Sequence, residues 1–249
     1  MSRIDVLGVE FDPVDLRGAV ERIVAFAGGR GPKFVITANV EMVMLARRTP
    51  EIRAILRRAD LVVADGVGVV WGSRTLGRAL PGRVPGIDLA DRLCAEAARR
   101  GWRVYLLGGR PGVAAGAAAR LAAGHPGLIV AGTAEGYFAA GSDADVIRAV
   151  RDAAPTLLLA GLGAPRQERW LARHLGVLGA PVVMGIGGAM DVWTGRARRA
   201  PRLWQSLGLE WCYRLTREPR RFGRQLAIPH FMAVVYTERL RTIGRTHSP

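Results

Sequence analysis

Two short apolar runs end in polar residues that can do chemistry. Phe34, Val35 and Ile36 have the length and branching of a buried strand; the run stops at Thr37, with Asn39 and Glu41 just beyond. A second run, Leu61 to Ala64, stops at Asp65-Gly66. In an open α/β sheet, ligands bind where strands end and helices begin. A carboxylate at such a terminus, between apolar neighbours and a glycine, can have its pKa raised by desolvation and then accept a proton. Asp65 is therefore the candidate general base, with Thr37 and Asn39 as hydrogen-bonding groups beside it. Each residue also has a plainer reading, as the cap of the helix that follows.

Three glycine-rich stretches follow other apolar runs: GGRPG (Gly108 to Gly112), GLGAPRQE (Gly161 to Glu168) and GIGGAMD (Gly185 to Asp191). Glycines there let backbone N–H groups approach a phosphate, and a following helix N-terminus adds positive potential. Three such loops on one sheet support a nucleotide or sugar-nucleotide pocket. GLGAPR is not GxGxxG and lies late in the chain, which argues against a dinucleotide fingerprint. Gln167 and Glu168 either fill a first helical turn, where acidic residues are favoured, or offer Gln167 to a hydroxyl-rich ligand. The loop arginines Arg74, Arg78 and Arg83 either meet phosphates or stay solvated. SDAD (Ser142 to Asp145) has the Asp-x-Asp spacing that can hold a divalent metal on a pyrophosphate, but it precedes an apolar-periodic helix and reads as an N-cap. His125, His174, His230 and His247 show no ligand spacing, so neither a metal nor a cofactor is expected.

The elements that must position these residues alternate. Ile4–Val9 reads as a strand, 13–27 as a helix, Phe34–Ile36 as a strand, and a helix starts at Val40. A second helix begins near Thr49, capped in TPEIRAILRRA. Strand Leu61–Ala64 leads into DGVGVVWGSR, which opens another helix, and Gly77–Asp88 is a loop rich in Gly and Pro. Helix 87–100, strand 102–109, helix 113–123, strand 128–131, helix 142–153, strand 156–160, a helix through His174 and strand 181–186 complete the pattern. Strands and helices alternate through residue 195, which predicts an α/β fold with a mostly parallel sheet and helices on both faces.

Composition narrows the class. The chain has 249 residues, with hydrophobic content of 49% and charged content of 23%, enough for one large domain with an appendage. No stretch approaches the roughly 18 apolar residues of a membrane span, and MSRIDVLGVEFDP lacks a signal peptide's apolar region. Cys94 and Cys212 lie far apart and make no CxxC, so a reduced, cytoplasmic protein is expected. The net charge is +15, and Arg196 to Pro249 carries twelve arginines against three glutamates. That asymmetry suggests an anionic partner: nucleic acid, acidic membrane or a pyrophosphate. In this basic part Trp204, Leu207, Trp211 and Leu215 make one helical stripe. Ile228–Tyr236 adds a second apolar patch among arginines. Tryptophan with arginine on amphipathic helices suits a membrane interface; the plainer reading packs the stripe onto the core.

TANVEMV, DGVGVVW, RVPGID, LLGG, GLGAPRQE, GIGGAMDVWTG, RAPRLWQSLGLEW and YRLTREPRR, in order from about residue 5 to 240, together resemble the WecG/TagA/CpsF glycosyltransferases. The resemblance implies a Rossmann-like catalytic domain, here 1–195, and a basic membrane-associating C-terminal appendage, 196–249. It implies an inverting, metal-independent transfer from a UDP-sugar to undecaprenyl-pyrophosphate-linked GlcNAc at the cytoplasmic membrane face. UDP-N-acetylmannosamine is the expected donor for a TagA-like member, with its uronic acid or UDP-glucose as alternatives. By the same resemblance Asp65 is the base, and Thr37, Asn39 and Gln167 line the sugar and acceptor site. Gly108, Gly109, Arg110, Gly187, Gly188 and Asp191 hold the uridine diphosphate. Arg83, Tyr137 and Gly163 join the substrate-binding set, and Arg214, Arg221 and Arg224 meet the pyrophosphates.

Two rival classes fare less well. A nucleotide-sugar epimerase or dehydrogenase needs an early GxGxxG and a Tyr-x-x-x-Lys pair, and Lys33 is the sole lysine. A nucleic-acid-binding module would use the basic end, but gives the polar strand ends no reason to exist. The identity of the donor and the oligomeric state stay open; the Trp204/Trp211 stripe can also cover a dimer interface.

Overall fold

Branched apolar runs too short for helices form the strands, and the amphipathic segments between them form the covering layers. The computed structural model describes residues 2–138, 142–201, 204, 210, 212–213 and 226–246, with side chains described as far as 242. Arg214, Arg221 and Arg224 fall outside these residues, as do Leu207, Trp211 and Leu215 of the apolar stripe. Of that stripe Trp204 is described, its ring 6.0 Å from that of Tyr213.

The chain runs β1 (Ile4–Val6), β2 (Val9–Phe11), α1 (Leu16–Ala27), β3 (Lys33–Ala38), α2 (Val40–Arg48), α3 (Pro50–Arg58), β4 (Leu61–Ala64), α4 (Val67–Thr75), α5 (Gly86–Arg100) and β5 (Arg103–Gly108). It continues through α6 (Val113–Gly124), β6 (Ile129–Ala134), α7 (Asp143–Asp152), β7 (Leu157–Gly161), α8 (Arg166–His174), β8 (Val182–Gly185), α9 (Ala189–Trp193) and a last helix, α10 (Ala227–Thr246). Six strands make one sheet in the order β4-β3-β8-β7-β5-β6, every pair parallel. The expected α/β fold with a parallel sheet is the one observed.

Alternation along the strands sorts two cores. Phe34, Ile36 and Ala38 of β3 face one side with Val62, Leu107, Leu158 and Val183, under α2, α3 and α8. Val35, Val63, Leu106, Leu159 and Met184 face the other, under α1, α5 and α6. Parallel sheets are buried on both faces, which is why these strands read as continuous apolar runs.

The expected single strand at Ile4–Val9 is instead an antiparallel hairpin outside the main sheet. Leu7 and Gly8 both take positive φ, 55° and 88°, the backbone of a two-residue hairpin turn, and the Asp5 carboxylate accepts from Gly8 N at 3.1 Å. Buried Asp12 ties this hairpin to β4: its carboxylate accepts from Val62 N at 2.8 Å and is neutralised by Arg22 at 2.7 Å and Arg3 at 3.2 Å.

Helix α10 packs on α2 and α4. Phe231 and Val235 are fully buried in the first core, and Phe231 lies so close to α4 that a Cβ on Gly72 would stand 2.6 Å from its ring. Its outward residues Met232, Tyr236 and Leu240 are exposed. Among the described residues no helix is long and apolar enough to cross a membrane.

Candidate active site

The six carboxyl ends of the strands form one rim, spanning about 24 Å at a strand spacing of about 4.8 Å. Going out from the middle strand β8, β3 and β4 lie to one side and β7, β5 and β6 to the other. The neighbours β7 and β5 lead to β8 and β6 on opposite sides, a reversal of the kind at which α/β sheets bind ligands.

On the β4–β3 side the polar candidates come together. Ala38 and Ala64 are register partners, and Asp65 N donates to Ala38 O at 2.9 Å, so Asn39 and Asp65 leave adjacent strands side by side. Thr37 points to the α5 face. Its hydroxyl reaches Gly185 O of β8 at 3.4 Å, and the first residue of α5, Gly86, packs against it. Asn39 caps α2, its Oδ1 accepting from Met42 N at 3.0 Å. Asp65 is not the cap of α4; that position falls to Gly66, which has no side chain to offer. Cap and candidate base are thus separate residues.

Gln167 lies beneath this floor. It is 4% exposed, and its amide packs on Gly185, where a Cβ would come within 2.6 Å of Nε2. Its Oε1 accepts from Gly187 N at 3.0 Å and its Nε2 donates to Glu168 at 2.7 Å. Glu168 is 2% exposed, with Oε2 lacking a hydrogen-bond partner, and burial raises its pKa. First-turn position alone did not distinguish this buried carboxyl from a solvated one.

The other side of the rim is glycine. Gly108 and Gly161 are register partners. Gly108 takes φ +146°, and a Cβ there would overlap the Gly161 carbonyl, so the strand ends meet backbone to backbone. Gly109 N donates to Gly161 O at 3.2 Å and Gly136 N to Gly109 O at 2.8 Å. Arg110, Gly163 and Gly188 are exposed on this rim and Asp191 is half-buried on α9. Tyr137, 67% exposed after β6, sits at the opposite end from Asp65.

Two expected caps are replaced. Thr49 precedes α3 but makes no side-chain cap bond; Pro50 opens the helix instead. Ser142 makes none for α7 either; Asp143, in the first turn, accepts from Trp170 Nε1 at 2.7 Å. Among the described residues no cluster of acidic, histidine or cysteine side chains is placed to hold a metal.

A charged cluster, of which the sequence singled out only Arg83, stands over the Asp65 side. Arg83 precedes Val84, whose N–H donates to Ala64 O at 2.8 Å, so it lies at the end of β4. Asp88, in the first turn of α5, takes both terminal nitrogens of Arg199, at 2.5 and 2.7 Å. Glu210 faces Arg83 at 3.8 Å and Arg199 at 3.9 Å. Asp88, then Glu210 and Asp65, hold the Arg199 pKa above its ordinary value.

Residues 4–245 match the Glycosyl transferase WecG/TagA/CpsF family. The N-acetylglucosaminyldiphosphoundecaprenol N-acetyl-beta-D-mannosaminyltransferase of Staphylococcus aureus strain MW2 is 34% identical over 233 residues, 93% of this chain and 91% of that protein. Its counterparts in strains NCTC 8325 / PS 47 and MRSA252 match to the same extent. A match that runs nearly the whole length, and reaches every strand end just described, shows that the chain belongs to the WecG/TagA/CpsF family of glycosyltransferases.

Proposed function

We propose that this glycosyltransferase moves N-acetylmannosamine from a UDP-sugar to undecaprenyl-diphosphate-linked GlcNAc, with inversion and without a metal. The observation that carries the reading is the convergence of Thr37, Asn39 and Asp65 on two adjacent strand ends, in a chain similar over 93% of its length to an enzyme named for that transfer.

Asp65 removes the proton of the acceptor hydroxyl as that oxygen attacks the anomeric carbon, and the UDP–sugar bond breaks in the same displacement. General-base assistance of this kind contributes about 10²- to 10⁴-fold. Thr37 and Asn39 bind sugar or acceptor hydroxyls. Gln167 acts by holding the Gly187 backbone, and Gly108–Arg110, Tyr137, Gly163 and Gly187–Asp191 cradle the uridine diphosphate. Fixed donors aimed at the departing charge supply electrostatic stabilisation; Arg83 and the arginines 214, 221 and 224 take that part in this reading. The exposed Met232, Tyr236 and Leu240 on α10, with its neighbouring arginines, support peripheral attachment to an anionic membrane at its cytoplasmic face. Residues 1–195 are the catalytic domain and 196–249 the basic appendage.

The test is UDP release with a short-chain lipid-diphosphate GlcNAc acceptor in EDTA, comparing UDP-ManNAc, UDP-ManNAcA, UDP-GlcNAc and UDP-glucose. Acceptor-dependent release from UDP-ManNAc supports the whole reading. Release from another donor alone overturns the choice of sugar, and release requiring added metal overturns the metal-free mechanism.

A further inference from the structure

The Gln167 side chain ends in an amide whose two sides differ in chemistry and scarcely in shape. Its Oε1 accepts from Gly187 N at 3.0 Å and its Nε2 donates to Glu168 Oε1 at 2.7 Å. The amide packs so closely on Gly185 that a Cβ there would stand 2.6 Å from Nε2 and 3.0 Å from Cδ. That packing fixes where the amide lies, yet it cannot tell oxygen from nitrogen, because turning the group over exchanges two atoms of nearly equal size. Only its hydrogen-bond partners choose. The Gly187 N–H requires an acceptor, and an overturned amide would set N–H against N–H. Glu168 makes the complementary demand from the other side: its Oε1 accepts whether the carboxyl is ionised or carries a proton on Oε2.

The Glu168 carboxyl is badly placed for its own sake. An acidic residue in the first turn of a helix is stabilised by the helix N-terminus while it stays solvated. This one is buried, and its Oε2 has no hydrogen-bond partner, a cost that an apolar side chain of similar length avoids. What the amide holds is the meeting point of the glycine loops. The Gly187 N–H is tied to Gln167, and its carbonyl stands over Gly161, where a Cβ would come within 2.8 Å of it. Gly161 O in turn accepts from Gly109 N at 3.2 Å, and Gly109 O from Gly136 N at 2.8 Å. The ends of β8, β7, β5 and β6 thus form one backbone chain, and Gln167 is its side-chain anchor.

We propose that Glu168 is a positioning residue of the transfer site: by accepting from Gln167 Nε2 it fixes which way round that amide sits, and through it the Gly187 backbone. The proposal rests on the functional reading above and deepens it, since these loops are the ones assigned there to the uridine diphosphate. Glu168 acts through Gln167 and touches no substrate.

The experiment compares Glu168→Gln, which keeps an acceptor at Oε1, with Glu168→Met, which has similar length and none. Each is read by calorimetric UDP binding to the full chain and by hydrogen exchange of the backbone segment 183–191, which contains the Gly187 N–H. Thermal melting checks that each is folded. Glu168→Met is expected to weaken UDP binding by about three- to tenfold and to speed exchange in that segment, while Glu168→Gln stays within about twofold of the parent Kd. Gln167→Met should weaken binding as much, and adding Glu168→Met to it should weaken binding no further, because residues acting through one contact are not additive. Equal losses in Glu168→Gln and Glu168→Met, or additive losses in the double variant, would assign Glu168 to packing alone and overturn the proposal. So would unchanged UDP affinity and exchange in Glu168→Met. Where that variant does not fold, Gln167→Met decides: parent affinity there leaves Glu168 nothing to act through, and a loss there beside an unaffected Glu168→Gln upholds the proposal. A parent that binds no UDP overturns the functional reading instead, and exchange of 183–191 in Glu168→Met still decides whether Glu168 sets the loop.

Discussion

Gln167 Oε1 accepts a hydrogen bond from the backbone N–H of Gly187 at 3.0 Å, joining the first turn of α8 to the loop that leaves β8. A residue expected to touch ligand is thereby engaged in setting the backbone that would touch it. Gln167→Ala strands the Gly187 N–H and opens a gap over Gly185. We expect a loss of about 1–3 kcal/mol in stability and weaker UDP binding, read together by thermal melting and calorimetry. A variant that melts and binds like the parent would show that the loop holds itself.

Glu168 makes stability depend on pH. Burial raises its folded-state pKa above the ordinary 4.5, so the unfolded chain releases this proton first as pH rises. Its contribution is full below about pH 4.5 and is lost as pH climbs through the folded value. Glu168→Gln has no such proton to lose. Urea unfolding across that window should give a flatter stability profile for the variant than for the parent; parallel profiles would assign the dependence to other groups.

Asp65→Asn keeps the shape of the candidate base and removes its capacity to accept a proton. Turnover should fall by about 10²-fold or more, with UDP affinity unchanged because the diphosphate loops are untouched. Steady-state UDP release beside calorimetry checks this, and retained turnover would dismiss Asp65 as the base.

Phe231 anchors the last helix. Its ring is fully buried and lies against Gly72 of α4, 6.5 Å from Trp71. Phe231→Ala should cost about 3–5 kcal/mol, measured by denaturant unfolding. Gly72→Ala should also destabilise, since its methyl group would meet that ring at 2.6 Å. A variant with Phe231 replaced but unchanged unfolding would mean that α10 does not share the core's cooperativity.

Much of the fold was legible because strands buried on both faces must be continuous apolar runs and helices on a sheet must be amphipathic. Phe34–Ile36, Leu61–Ala64 and the runs around Leu106, Leu158 and Val183 marked the sheet, and their polar and glycine termini marked its ligand-binding edge. The motifs at those termini also carried the family. The hairpin at Leu7-Gly8 was missed because Ile4–Val9 reads as one run, and the turn depends on positive φ at a leucine that no composition signals.

The residue types along the chain determined the α/β alternation, the family and the polar strand ends. Tertiary structure alone decided the order β4-β3-β8-β7-β5-β6, and with it that Asp65 and Tyr137 stand at opposite ends of the rim while Thr37 meets Gly185. It alone buried Glu168 beside Gln167 and brought Arg199 to Asp88 across 111 residues of chain. The physical reason is range: periodicity, propensity and turn chemistry act over a few residues and leave their mark on neighbouring positions. Burial, and the choice of ionic partner among thirty-five arginines, are settled only when distant segments are packed together.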